Sequence, residues 1–181
     1  MVLPPLVQRA LDVARDQGFD RSCIQEVGQL LHVLAGARGR DRVAEIGTGC
    51  GVGTAWMVSA LPSGVPLYTA EVDEQRAAAA AEVFRGDPDV HVLTGDWRHV
   101  LPPQAPFDLI FFDAAKQQRP EEDGELVAGM LMPGGLAVLD DLTPGRPGPD
   151  PVREFWLGHP ELASAEVLTT PTSAAILAVR Q

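Results

Sequence analysis

Apolar and polar positions follow two rhythms along the chain. A helical spacing marks about residues 4 to 17 and 23 to 36, and Ser22 stands where a side-chain cap would open the second helix. After these, short apolar runs take turns with helix-like stretches. RVAEI (42–46), PLYTAEV (66–72), VHVLT (90–94), FDLIFFD (107–113) and LAVLDD (136–141) read as strands. TAWMVSAL (54–61), EQRAAAAAEVF (74–84) and EEDGELVAGML (121–131) fill the intervals as helices. This alternation predicts an α/β fold, a mostly parallel sheet with helices on both faces. The tail breaks the rhythm, because LASAEVLTT (162–170) and SAAILAVR (173–180) are joined by Pro171 and Thr172 alone. Two residues are too few for a parallel crossover, so these strands are expected to pair as an antiparallel hairpin.

Length and composition narrow the class. At 181 residues, 45% hydrophobic and 22% charged, the chain reads as one soluble domain over 1–181. Within it, 1–40 would hold the N-terminal helices, 41–141 a ligand-binding core, and 142–181 a loop, a helix and the hairpin. The N-terminus lacks a basic region followed by an apolar stretch, and no run approaches the ~18 apolar residues of a membrane span, so a cytoplasmic protein without membrane contact is expected. A net charge of −11 disfavours nucleic acid as the principal ligand. Cys23 and Cys50 have no partner at metal-ligand spacing and the four histidines form no H-E-x-x-H pattern, which argues against zinc.

The chemistry gathers at two places. The first is Glu45-Ile-Gly-Thr-Gly-Cys-Gly-Val-Gly-Thr54, a glycine turn between the first strand and a helix, where backbone amides can approach a ligand closely. Val52 and Thr54 occupy the positions where a dinucleotide fingerprint needs Gly or Ala, and no G-K-[ST] follows. Glu71, 20 residues beyond Gly51, ends the second strand and can accept both ribose hydroxyls of an adenosine. Asp96 could reach the adenine amino group, with Trp97 along its face.

These residues resemble the S-adenosylmethionine site of class I methyltransferases over about residues 20 to 180. The resemblance implies a Rossmann-like, doubly wound, seven-stranded sheet whose last strand is antiparallel. It implies that Gly47, Gly49 and Gly53 border the cofactor, that Glu71, Val72, Asp96, Trp97 and Asp113 bind it as well, and that Glu45 lies near the methionine amino group, as would Ser22 and Cys23.

The second place is a group of carboxylates. Asp113 ends the fourth strand and Asp140-Asp141 the fifth; on neighbouring parallel strands they would converge within about 4.8 Å. Three anions so close repel unless a cation lies between them, and a hard divalent ion such as Mg²⁺ suits oxygen ligands. Lys116 is the other available positive charge, and a plain Asp113–Lys116 salt bridge is the alternative.

Asp113-Ala-Ala-Lys116 with Asp140-Asp141 resembles, more narrowly, the metal-dependent O-methyltransferases of the catechol and caffeoyl-coenzyme A type. That resemblance implies Mg²⁺ on Asp113, Asp140 and Asp141, Lys116 as general base, a small hydroxylated acceptor, and a homodimer. The chain departs from the family at Asp141, where Asn is usual, and at Ala114 and Ala115, where catechol-type enzymes carry larger residues. Two other functions fit the same motifs: methylation of a hydroxylated uridine in transfer RNA, and a non-catalytic module that binds S-adenosylmethionine.

Overall fold

The computed structural model describes residues 2–181. Seven strands form a single sheet: β1 (Val43–Ile46), β2 (Leu67–Glu71), β3 (Val90–Thr94), β4 (Phe107–Phe112), β5 (Leu131–Leu142), β6 (Leu162–Thr170) and β7 (Ser173–Arg180). Their order is β3-β2-β1-β4-β5-β7-β6. β1 to β5 pair in parallel, while β7 runs antiparallel to both β5 and β6. The strand order reverses between β1 and β4, which opens a crevice at their C-terminal ends, the place where ligands bind in such sheets.

The helices are α1 (Pro5–Asp16), α2 (Gln25–Ala35), α3 (Val52–Val58), α4 (Glu74–Val83), α5 (Trp97–Val100), α6 (Pro120–Met130) and α7 (Pro151–Gly158). They divide between the two faces. α1, α3 and α4 share one apolar cluster, and α2 packs with Met57 on Val43, Leu109, Phe111 and Val138. On the opposite face α6 and α7 cover Ala44, Ile110, Phe112, Ala137 and Leu139. Successive residues of β4 thus bury themselves on alternate faces, which is why Leu109 to Phe112 are apolar without a break. The polar exception, Asp108, accepts the Arg42 amide at 2.7 Å and an Arg40 guanidinium hydrogen bond at 3.3 Å, holding the strand's far end.

Several observed elements differ from the sequence pattern, and three of the differences are local in origin. Ser22 caps nothing: α2 begins at Gln25 after Ile24, with no side-chain cap, and residues 17–24 form a linker. α3 begins at Val52, two residues early, because Gly51 at φ 88° ends the turn and the next residue can enter the helix directly. β5 starts at Leu131 rather than residue 136, its entry pairing Leu131 with Phe107 before a register shift. Strands β3, β6 and β7 carry the expected bounds.

Candidate functional site

The glycine turn leaves β1 and enters α3 beneath the crevice. Glu45, at the third position of β1, is 1% exposed, and its carboxylate accepts hydrogen bonds from the Thr54 hydroxyl and, at 2.7 Å, the Thr69 hydroxyl. Burial pushes its pKa up to about 7, against the pull of both hydroxyls. Gly53 lies against this carboxylate so closely that a Cβ would overlap Glu45 Oε1, so only glycine lets the first turn of α3 pass. Glu71, at the end of β2, is fixed on three sides: it accepts the Gly49 amide at 2.8 Å, the Asp73 amide at 3.0 Å and the Arg76 guanidinium at 2.9 Å.

Two cavities of about 300 and 280 Å³ meet around these groups. The first is lined by Cys23, Glu45, Gly47, Gly49, Gly53, Asp113 and Asp141 among others, the second by Gly95, Asp96, Trp97 and Arg98. Gly47, Glu71, Val72, Ala114 and Ala115 border both. Each of the ten residues expected around the cofactor lines one or both of these adjoining cavities. Asp96 lies just past β3 and caps α5; burial opposes its charge, but the Arg98 amide and guanidinium outweigh that and lower its pKa. Trp97 is buried with its indole Nε1 unpartnered, its ring edge-on to Phe112 at 5.5 Å and under the Arg98 guanidinium at 4.8 Å. Burial raises the Cys23 thiol well above its ordinary value, and Asp113 and Glu45 add to this, which keeps it protonated.

Asp113, Asp140 and Asp141 each bring one oxygen within 4.8 Å of the others. A register shift between Leu139 and Leu142 in the β5–β7 ladder frees the Asp pair from regular strand geometry. Burial and the adjacent Asp140 push Asp113 up to about 10, and burial raises Asp140 as well, so without a cation the pair retains a proton. Asp140 Oδ1 is buried without a hydrogen-bond partner. Lys116, 5% exposed, points Nζ at that same oxygen across 3.9 Å. The lysine thus faces Asp140 rather than Asp113.

Backbone strain concentrates here too. Among the described residues, the only non-glycine positions with left-handed backbone are Ala115 (φ 59°) and Asp141 (φ 57°). Each costs roughly 1 kcal/mol, and such strain is characteristic of functional turns. Ala115 lies between Asp113, which lines the first cavity, and Lys116, whose amine lies 3.9 Å from Asp140.

Sequence reasoning missed Arg76, Arg98, Thr54 and Thr69. The two arginines orient acidic residues already singled out, and their signal was proximity, five residues after Glu71 and two after Asp96. Thr54 and Thr69 carried no signal, because only the packed sheet brings them to Glu45.

The sequence profile of the methyltransferase-domain family matches residues 44–142, more than half of the chain. A protein of Mycobacterium ulcerans named as an O-methyltransferase is 29% identical over 93% of this chain and 75% of its own length. One of Mycobacterium marinum is 31% identical over 78% and 66%. The chain spans between about half and three quarters of the length of such relatives. Among solved structures, the O-methyltransferase TomG of Streptomyces achromogenes, in complex with S-adenosylmethionine, superposes with a TM-score of 0.79 at 25% identity, covering 99% of this chain and 91% of that one. The O-methyltransferase of Bacillus cereus, bound to S-adenosylhomocysteine, superposes at 0.83 with 22% identity over 100% and 94%, a likeness of fold. Fold and matches converge: the chain belongs to the methyltransferase-domain family and is a class I S-adenosylmethionine-dependent O-methyltransferase by its relatives.

Proposed function

We propose that this protein transfers a methyl group from S-adenosylmethionine to a hydroxyl of a small catechol-like acceptor, with a divalent metal ion held by Asp113, Asp140 and Asp141. The observation that carries the reading is Asp140 Oδ1, a buried carboxylate oxygen with no hydrogen-bond partner in a group of three converging carboxylates. Leaving such an oxygen unsatisfied is costly, and an oxygen-loving cation relieves both the cost and the mutual repulsion. The donor set, all carboxylate oxygen, suits Mg²⁺ or Mn²⁺ better than zinc.

In this reading Glu71 accepts the ribose hydroxyls, its carboxylate already held by Gly49, Asp73 and Arg76. Asp96 accepts from the adenine amino group, and Glu45 faces the methionine ammonium. A metal ion at the three aspartates would supply the positive charge that favours the ionised form of an acceptor hydroxyl. Lys116, in its neutral amine form, would take the proton at Nζ, and its burial keeps bulk water from that nitrogen. The Gly47 turn and Ala114 border the same space as Asp113, so the residues that would hold the methyl donor and those that would hold the acceptor oxygen are adjacent, as an in-line displacement demands. The net charge of −11 speaks against transfer RNA as the acceptor.

Turnover of dihydroxybenzoate with S-adenosylmethionine tests this directly. Methylation is expected with Mg²⁺ present and is expected to vanish on chelation. Activity that survives EDTA would sink the metal role, and no turnover of any vicinal diol would remove the acceptor class.

A further inference from the structure

The methyl donor carries a sulfonium, an ammonium and one carboxylate. The larger of its two cavities is lined by Glu45, Glu71, Asp113 and Asp141, so the donor's positive groups find partners readily and its carboxylate meets a field of its own sign. Two cations line that cavity, Arg21 and Arg76. Arg76 is committed: its guanidinium lies 2.9 Å from Glu71 and 3.4 Å from Asp73. Arg21 forms no salt bridge among the described residues.

What fixes Arg21 at this point is Phe19. The Phe19 ring sits on the glycine turn, where a Cβ on Gly49 would come within 2.8 Å of it. The guanidinium of Arg21 lies 5.8 Å from the ring centroid and that of Arg76 5.5 Å. The ring attracts both guanidinium groups, and its contact with the glycine turn holds this part of the linker 17–24 at the cavity. The next residue, Ser22, also lines the cavity, and its buried hydroxyl has no partner.

We infer that Arg21 receives the methionine carboxylate of the cofactor, with the Ser22 hydroxyl as a second donor beside it. The assignment rests on the cofactor placement proposed above. It gives the N-terminal linker a binding role, and it explains why an exposed arginine is stacked against a ring at the mouth of an otherwise acidic cavity.

The test compares S-adenosylhomocysteine with its decarboxylated analogue, S-adenosyl-3-thiopropylamine, by calorimetric titration. The wild-type chain is expected to prefer the carboxylate-bearing ligand about tenfold, the size of one charge-assisted hydrogen bond at a partly solvated site. Arg21→Ala should weaken S-adenosylhomocysteine by that factor and leave the analogue unchanged, and Arg21→Lys should restore part of the preference. A preference that persists in Arg21→Ala, equal binding of the two ligands by the wild type, or equal weakening of both by the substitution would each overturn the assignment. Glu71→Ala should weaken both ligands alike, which checks the cofactor placement separately. Failure of the wild type to bind either ligand would overturn that placement and the Arg21 assignment with it.

Discussion

Arg98 and Asp123 meet in a two-pronged ion pair inside the protein, Nε to Oδ1 at 2.7 Å and Nη2 to Oδ2 at 2.6 Å. The remaining guanidinium nitrogen reaches Asp96 at 3.2 Å. One arginine therefore ties helix α6 to the acidic residue at the edge of the smaller cavity. Asp123 is 2% exposed, so its replacement by Ala strands a half-buried cation. Asp123→Ala is expected to cost about 3 kcal/mol in urea unfolding, the usual penalty for breaking a buried pair. The double variant Asp123→Ala, Arg98→Met should recover much of that loss; a double variant no more stable than the single one would show that the pair's charge is not the issue.

Lys116 and Asp140 make a second prediction. Lys116→Ala is expected to reduce methyl transfer by at least about 10²-fold, in keeping with loss of a general base. Affinity for S-adenosylhomocysteine should stay nearly unchanged, because Lys116 does not line either cavity. Normal turnover by this variant would remove Lys116 from the reaction.

Glu45 should make the ligand-free protein sensitive to pH. Its pKa is raised from 4.5 to about 7 in the fold, so between those values the folded state holds a proton that the unfolded state has released. The stabilisation from that proton is fully present below about pH 4.5 and is lost as pH rises to about 7, at most about 3 kcal/mol. Glu45→Gln cannot titrate and should flatten this part of the stability profile, measured by thermal unfolding at a series of pH values. An unchanged slope would place the titration elsewhere.

Asp141 sits in left-handed backbone, which Asn adopts as readily as Asp. Asp141→Asn should therefore leave the fold alone while removing one negative charge from the metal group. Mn²⁺ titrated calorimetrically into the ligand-free protein is expected to bind several-fold more weakly to the variant, since affinity for hard cations follows the ligand charge count. Equal affinity would mean that Asp141 does not contact the ion.

Much of this protein was legible in the one-dimensional pattern. The unbroken apolar run 109–112 of β4 announced a strand buried on both faces, and the two-residue link at Pro171 and Thr172 required the antiparallel turn seen between β6 and β7. Strand ends, glycine spacing and acidic residues at those ends are local features, set by backbone sterics and side-chain periodicity, so Glu71, Asp96, Asp113 and Asp140 could be named from sequence. What the sequence left undecided depends on distance through space. It gave a plain Asp113–Lys116 salt bridge as the alternative to a base, whereas in the fold the Lys116 amine lies 3.9 Å from Asp140. It gave Ser22 a capping role that the fold does not use, and it did not single out Phe19 or Arg21, which the linker lays on the glycine turn and at the cavity. Asp123 read as one more acid on a helix, yet packing of α6 against the sheet buries it on Arg98. Pairings between residues far apart in the chain are decided by how the layers pack, and no local preference of either partner records them.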